Sequence, residues 1–154
     1  MGVIGAGTAP PELNRTAYEL GRALAERGAV VITGGLGGVM AAAARGCRHG
    51  GGMSVGLLPG REPEDGNDWT DLPLATSMGE GRNVLVVRAA EAVVAVGGEW
   101  GTLSEIALAR KIVRPVILLG EPPVSGMALP SADGPAAAAD WALAAARNGR
   151  TPDG

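Results

Sequence analysis

The chain has 154 residues, 46% of them hydrophobic, a size and composition that fit one compact domain with a real core. A net charge of −3 and a pI of about 5.1 supply no basic field for a polyanion, so DNA or RNA is disfavoured as the main partner. No apolar run approaches the roughly 20 residues needed to cross a bilayer, no signal peptide precedes the first apolar run, and Cys47 is the only cysteine, so the expectation is a cytoplasmic protein with no membrane partner, no internal disulfide and no CxxC motif.

Short runs rich in Val, Ile and Leu alternate with Ala-rich amphipathic stretches, the pattern of a parallel sheet wrapped by helices. In chain order this predicts a strand over 2–5, a helix over 11–27, a strand over 29–33, a helix over 38–49 and a strand over 53–58. A strand over 72–75, a helix over 79–89, a strand over 92–96, a helix over 102–111, a strand over 113–119 and a last helix over 135–147 complete the series. Pro10 and Pro11 stand where a helix start tolerates proline, and Leu13, Ala17, Leu20 and Leu24 follow at helical spacing as a buried stripe. Cys47 falls at a half-buried helix position. The acidic segment 60–72, with Pro63, Gly66 and Asn67, reads as an exposed loop or as a mobile lid over the strand ends; the stretch 120–135 is rich in Pro, Gly and Ser, and 148–154 reads as a frayed end. The fold class is α/β: a doubly wound parallel sheet in three layers, α/β/α.

Ligands of open α/β sheets bind outside the carboxyl ends of the strands, and three glycine-rich junctions fall there. They are Gly5-Ala6-Gly7-Thr8, Gly34-Gly35-Leu36-Gly37-Gly38 and Gly97-Gly98-Glu99-Trp100-Gly101-Thr102. Glycine lets backbone N–H groups approach an anion, and a helix start adds unpaired donors and the positive end of its dipole. The third junction is the most informative, because Glu105 lies one turn beyond Thr102 and both would face the same mouth. The same residues also spell a capping box, Thr102 as N-cap and Glu105 as N3, which needs no ligand.

Several chemistries are excluded. Lys111 is the only lysine, so no Walker-type loop can be written. A dinucleotide G-x-G-x-x-G fails at Pro10, and the strand over 29–33 lacks a terminal acid for a ribose hydroxyl. No metal-ligand, Ser-His-Asp or paired-carboxylate pattern appears, so neither a metal nor a resident cofactor is expected. Arg82 follows the S-x-x-E sequence Ser77-Met78-Gly79-Glu80; a cation there opposes the helix dipole, which suggests pairing with a phosphate or a nucleobase, the alternative being a solvent-facing arginine. His49 ends an Arg-rich helix and fits a cap rather than a catalyst. Trp100, inside the glycine turn, suits either stacking on a base or packing at a subunit contact.

The segment Gly97-Gly98-Glu99-Trp100-Gly101-Thr102-Leu103-Ser104-Glu105 resembles the P-G-G-x-G-T-x-x-E motif of the LOG (LONELY GUY), or lysine-decarboxylase-like, family. Gly34-Gly35-Leu36-Gly37-Gly38-Val39-Met40 resembles its second glycine motif, and Gly56-Leu57-Leu58-Pro59-Gly60 a third block. The resemblance implies a Rossmann-like homodimer hydrolysing nucleoside 5′-monophosphates to free base and ribose 5-phosphate. In that family the glycine turn holds the phosphate, which maps to Gly98, Gly101 and Thr102, while the motif glutamate maps to Glu105 and the arginine of the preceding helix to Arg82, the candidate catalytic pair. With the three glycine junctions taken together, the candidate phosphate- or nucleotide-binding residues are Gly7, Thr8, Gly34, Gly35, Gly37, Gly38, Met40, Gly97, Gly98, Gly101 and Thr102. Two positions depart from the family pattern: Val96 replaces the leading proline, and Arg82-Asn83 replaces an arginine-lysine pair. The Arg-Asn pair resembles the branch of molybdenum cofactor carrier proteins and relatives of DNA-processing DprA, which implies the alternative of a non-catalytic carrier of molybdenum cofactor or another phosphorylated ligand.

Overall fold

The computed structural model describes residues 1–149. Seven parallel strands run β1 (Gly2–Gly5), β2 (Val31–Thr33), β3 (Ser54–Leu58), β4 (Leu72–Ala75), β5 (Val93–Val96), β6 (Val116–Leu119) and β7 (Ser131–Ala132). The helices are α1 (Pro11–Glu26), α2 (Gly38–His49), α3 (Asn83–Ala89), α4 (Trp100–Lys111) and α5 (Pro135–Gly149), with short 3₁₀ turns at Pro63–Asp65 and Gly79–Arg82. Sheet order is β4-β3-β2-β1-β5-β6-β7. The chain winds outward one way from β1 and the other way from β5, so these two neighbours form the switch point, in register from Gly2 opposite Val93 to Gly5 opposite Val96.

Period-2 alternation divides the core between the two faces. Val3, Val94, Val96, Ile117 and Leu119 pack with α1, α2 and α5 through Ala17, Leu20, Ala43 and Ala142. Ile4, Val93, Ala95, Val116 and Leu118 face the other way and meet Val86, Val87, Ile106 and Ala109 of α3 and α4. This is the expected Rossmann-like three-layer α/β/α arrangement. Helices α1 and α2 touch backbone to backbone: a Cβ on Gly21 would lie 2.0 Å from the Ala43 carbonyl oxygen, and one on Gly46 would lie 1.9 Å from that of Tyr18. Cys47 is fully buried rather than half-buried, and burial pushes its thiol up to about 11.

The boundaries differ where local chemistry overrides pattern. The expected strand over 113–119 starts only at Val116, because Val113 adopts φ 59° and ends α4: its N–H reaches the Arg110 carbonyl at 3.2 Å, and that of Arg114 reaches Ala109 at 2.8 Å. This is a Schellman stop with a β-branched residue where glycine is usual. The expected helix over 79–89 divides into a 3₁₀ turn and α3; Ser77 sits at φ 57° and caps nothing, so the S-x-x-E box does not form. Within 120–135 a two-residue strand, β7, joins β6. Of the segment 148–154, Asn148 and Gly149 belong to α5 and residues 150–154 lie outside the described residues. No helix among the described residues is long and apolar enough to cross a membrane.

The segment between β3 and β4 is tied down. Asn67 donates through Nδ2 to the carbonyls of Gly35 (3.0 Å) and Leu36 (2.9 Å), while its Oδ1 accepts from the N–H groups of Trp69 and Thr70. His49, the last residue of α2, bonds the Tyr18 hydroxyl through Nδ1 at 3.1 Å and meets the Trp69 ring edge-on.

Candidate functional site

Because β1 and β5 are neighbours, the junctions that leave them open at one place, and the second junction joins them beside β1. Together with the 3₁₀ turn before α3 they wall a cavity of about 160 Å³ at the carboxyl ends of the strands. Of the residues singled out from sequence, Gly7, Gly34, Met40, Arg82, Gly101, Thr102 and Glu105 line it. Thr8 is exposed and stands outside the wall, while Gly35, Gly37, Gly38, Gly97 and Gly98 shape the turns behind it. Ile4, Gly5, Ala6, Leu36, Glu80, Asn83 and Glu99 also contribute.

Helix α4 starts two residues before the expected Thr102. Glu99 is its N-cap, with extended backbone and no side-chain cap, and Thr102 is its third residue. The capping box of Thr102 and Glu105 is therefore not formed, and the amides of the first turn have no side-chain acceptor. Gly98, at φ 141°, makes the tight entry: a Cβ there would lie 2.5 Å from the Cβ of Thr102. Gly101 meets no such limit, since a Cβ on it would find nothing within 4 Å. Helix α2 likewise has a glycine N-cap, Gly37, and so no side-chain cap.

Thr102 and Glu105 lie on the inner face of α4, 3% and 6% exposed, and line the same cavity one turn apart. Arg82, also 6% exposed, approaches from the opposite wall, with Nη1 4.0 Å from Oε1 of Glu105. That separation is too long for a hydrogen bond. Nη1 instead donates to Oδ1 of Asn83, and the buried Nε has no partner among the described residues. Burial pushes the Glu105 carboxyl up to about 7, against the pull of Arg82 and with a smaller push from Glu80. The cavity thus holds one guanidinium with an unused donor and one carboxyl present in both protonation states near neutrality, beside uncapped amides.

These features define the class: a Rossmann-like parallel α/β protein whose glycine-turn cavity opens at the switch point. The chain belongs to the SLOG cluster4 family, whose model matches residues 1–138. It is 48% identical over 124 residues to an uncharacterised protein of Archaeoglobus fulgidus, covering 80% of this chain and 81% of that protein. Among solved structures it resembles the molybdenum cofactor binding protein of the phototrophic bacterium Rippkaea orientalis, with TM-score 0.86, 34% identity and coverage of 93% of this chain and 94% of that one. It also resembles the molybdenum cofactor carrier protein of Chlamydomonas reinhardtii, with TM-score 0.83, 33% identity and coverage of 94% and 95%. DprA of Streptococcus pneumoniae, at 14% identity and TM-score 0.69 over 87% of this chain and 58% of that one, shares the fold.

Proposed function

We propose that the switch-point cavity binds the phosphate end of a small phosphorylated ligand, and that the protein is a binding or carrier protein for a phosphorylated pterin of the molybdenum cofactor class. The observation that carries this reading is the convergence of the uncapped first turn of α4 with the buried guanidinium of Arg82. Backbone amides and one fixed fork of donors suit a phosphate. The amides around Gly98, Gly101 and Thr102 would hold it, with the turns of Gly5 to Gly7 and Gly34 to Gly38 forming the floor. Likeness to the two molybdenum cofactor proteins supports the ligand class. A chain of net charge −3 suits a small anion better than a nucleic acid.

One observation favours a second reading, hydrolysis of a nucleoside 5′-monophosphate. Breaking an N-glycosidic bond places positive charge on the ribose, water adds at C1′, and the base leaves with the bonding electron pair and takes a proton. Glu105, titrating near 7, is suited to stabilise the sugar cation when ionised and to exchange that proton, with Arg82 placing the phosphate. We further propose that two copies pair through the outer face of α3 and α4, where Val84, Leu108 and Trp100, the last 82% exposed, leave an apolar surface beside the cavity.

Mass spectrometry of ligand retained on the purified protein, alongside chromatography of the protein incubated with AMP, separates the two functions. A retained phosphorylated pterin with no adenine released supports the carrier. Adenine that appears with wild type and disappears with Glu105→Ala supports the hydrolase. Light scattering of wild type and Trp100→Glu tests pairing, a dimer reduced to monomer being expected.

A further inference from the structure

We infer that Asn83 is a positioning residue that holds the Arg82 guanidinium off Glu105 and, through Ser104, ties it to the first turn of α4. Asn83 is 7% exposed and uses both ends of its amide. Oδ1 accepts from Nη1 of Arg82; Nδ2 donates to Oγ of Ser104 at 3.1 Å; the Ser104 hydroxyl donates to the Gly101 carbonyl at 2.7 Å. This unbroken string runs from the glycine turn to the guanidinium, and its donor and acceptor senses leave Asn83 one orientation, since a flipped amide would set its NH₂ against the guanidinium.

The consequence lies in what the string prevents. Arg82 and Glu105 are opposite charges on facing walls, both buried, in a loose ion pair at 4.0 Å; closing that gap would make it a directly hydrogen-bonded pair that fills the cavity with its own counter-charge. With Nη1 held by a neutral amide, the guanidinium keeps its Nε free, and among the described residues the Glu105 carboxyl accepts no hydrogen bond. Arg82 and Glu80 are the charged groups that act on Glu105, one attracting and one repelling. Asn83 therefore preserves a cavity that offers a cation to an incoming phosphate and a proton-bearing carboxyl to its neighbour. The benefit to ligand rests on the phosphate reading above; the geometry of the string does not.

The test uses the full chain without ligand and then with inorganic phosphate. Carbon-13 NMR follows the Glu105 carboxyl, which titrates near 7 in wild type. In Asn83→Leu the released guanidinium reaches the carboxylate, and the midpoint falls by about 1–3 pH units. Asn83→Asp keeps the acceptor for Nη1 and does not lower the midpoint, so the fall is confined to the variant that releases the guanidinium. Phosphate affinity drops about tenfold in Asn83→Leu, the loss expected when a charge-assisted donor turns to an internal partner. If Asn83→Leu does not fold, Ser104→Ala on the exposed face of α4 carries the test, with a smaller fall of the midpoint expected. A Glu105 midpoint unchanged in Asn83→Leu, or in Ser104→Ala where that variant stands in, overturns the inference. Midpoints that move as stated while phosphate binds no variant leave the positioning role standing and defeat the phosphate reading alone.

Discussion

The guanidinium of Arg82 lies directly against Gly34: a Cβ at position 34 would stand 2.6 Å from Nη2 and 2.8 Å from the sulfur of Met40. The second glycine turn thus shapes the seat of the arginine as well as the chain path. Gly34→Ala should displace Arg82 from the cavity, costing about 1–3 kcal/mol of stability as an overpacked site and lowering phosphate affinity at least as much as removal of Arg82. Denaturant melts and phosphate titrations of Gly34→Ala, Arg82→Ala and the double variant check this. In the Arg82→Ala background the alanine at 34 should cost less, because the colliding group is gone.

The buried carboxyl of Glu105 makes stability depend on pH with a definite sign. Its midpoint is raised from 4.5 to about 7, so between these values the folded chain holds a proton that the unfolded chain has released. Stability should fall as pH rises through this window, by an amount on the order of 3 kcal/mol at about 1.4 kcal/mol per unit of displacement. Glu105→Gln, which cannot ionise, should remove that contribution and be the more stable protein at pH 8. Urea unfolding of both proteins at pH 5 and pH 8 measures the difference.

Val113 is 87% exposed and sits at φ 59° in the stop of α4. A β-branched side chain is strained in this region, whereas glycine adopts it freely. Val113→Gly should stabilise the protein by roughly 0.5–1 kcal/mol, the relief exceeding the added entropy of the unfolded chain. Thermal unfolding should show a midpoint higher by about 1–4 °C.

Asn67 joins the β3–β4 segment to the second glycine turn through two donated and two accepted hydrogen bonds. Asn67→Ala should cost about 1–3 kcal/mol, since two carbonyls and two amides lose a partner at once. Hydrogen exchange should quicken at the amides of Trp69 and Thr70, with that of Gly35, held by Thr33, responding less.

The layer order, the alternation of strands and helices and the three glycine junctions are legible in the sequence because hydrophobic period and glycine placement report local structure. The errors arise where one residue type serves two purposes. Val113 reads as strand but ends a helix; Trp100 and Gly101 read as turn but begin one, which moves Thr102 from the cap to the inner face. The Thr102 and Glu105 spacing fits either outcome, and only the position of the helix start decides between a capping box and a cavity wall. Glu80, Asn83 and Leu36 enter the cavity because β1 lies beside β5 and the turn before α3 folds over it, a long-range placement that no local spacing encodes. The signal that marks Asn83 is its place beside Arg82, and its buried amide shows what that place does.

The central claim is that the switch-point cavity holds a phosphate group, and Gly101 gives the most direct test because a side chain there disturbs no packed atom. Calorimetric titration and thermal unfolding should be run on wild type and Gly101→Ala with inorganic phosphate, AMP and GMP. Wild type should gain about 2.7 kcal/mol from a bound phosphate compound at 100 times its Kd. Gly101→Ala should be more stable than wild type without ligand, by about 0.5–1 kcal/mol as a helical glycine replaced by alanine, and yet bind less tightly. A wild type that neither binds nor is stabilised by any of the three compounds, or a Gly101→Ala protein that binds them as well as wild type, would contradict the account.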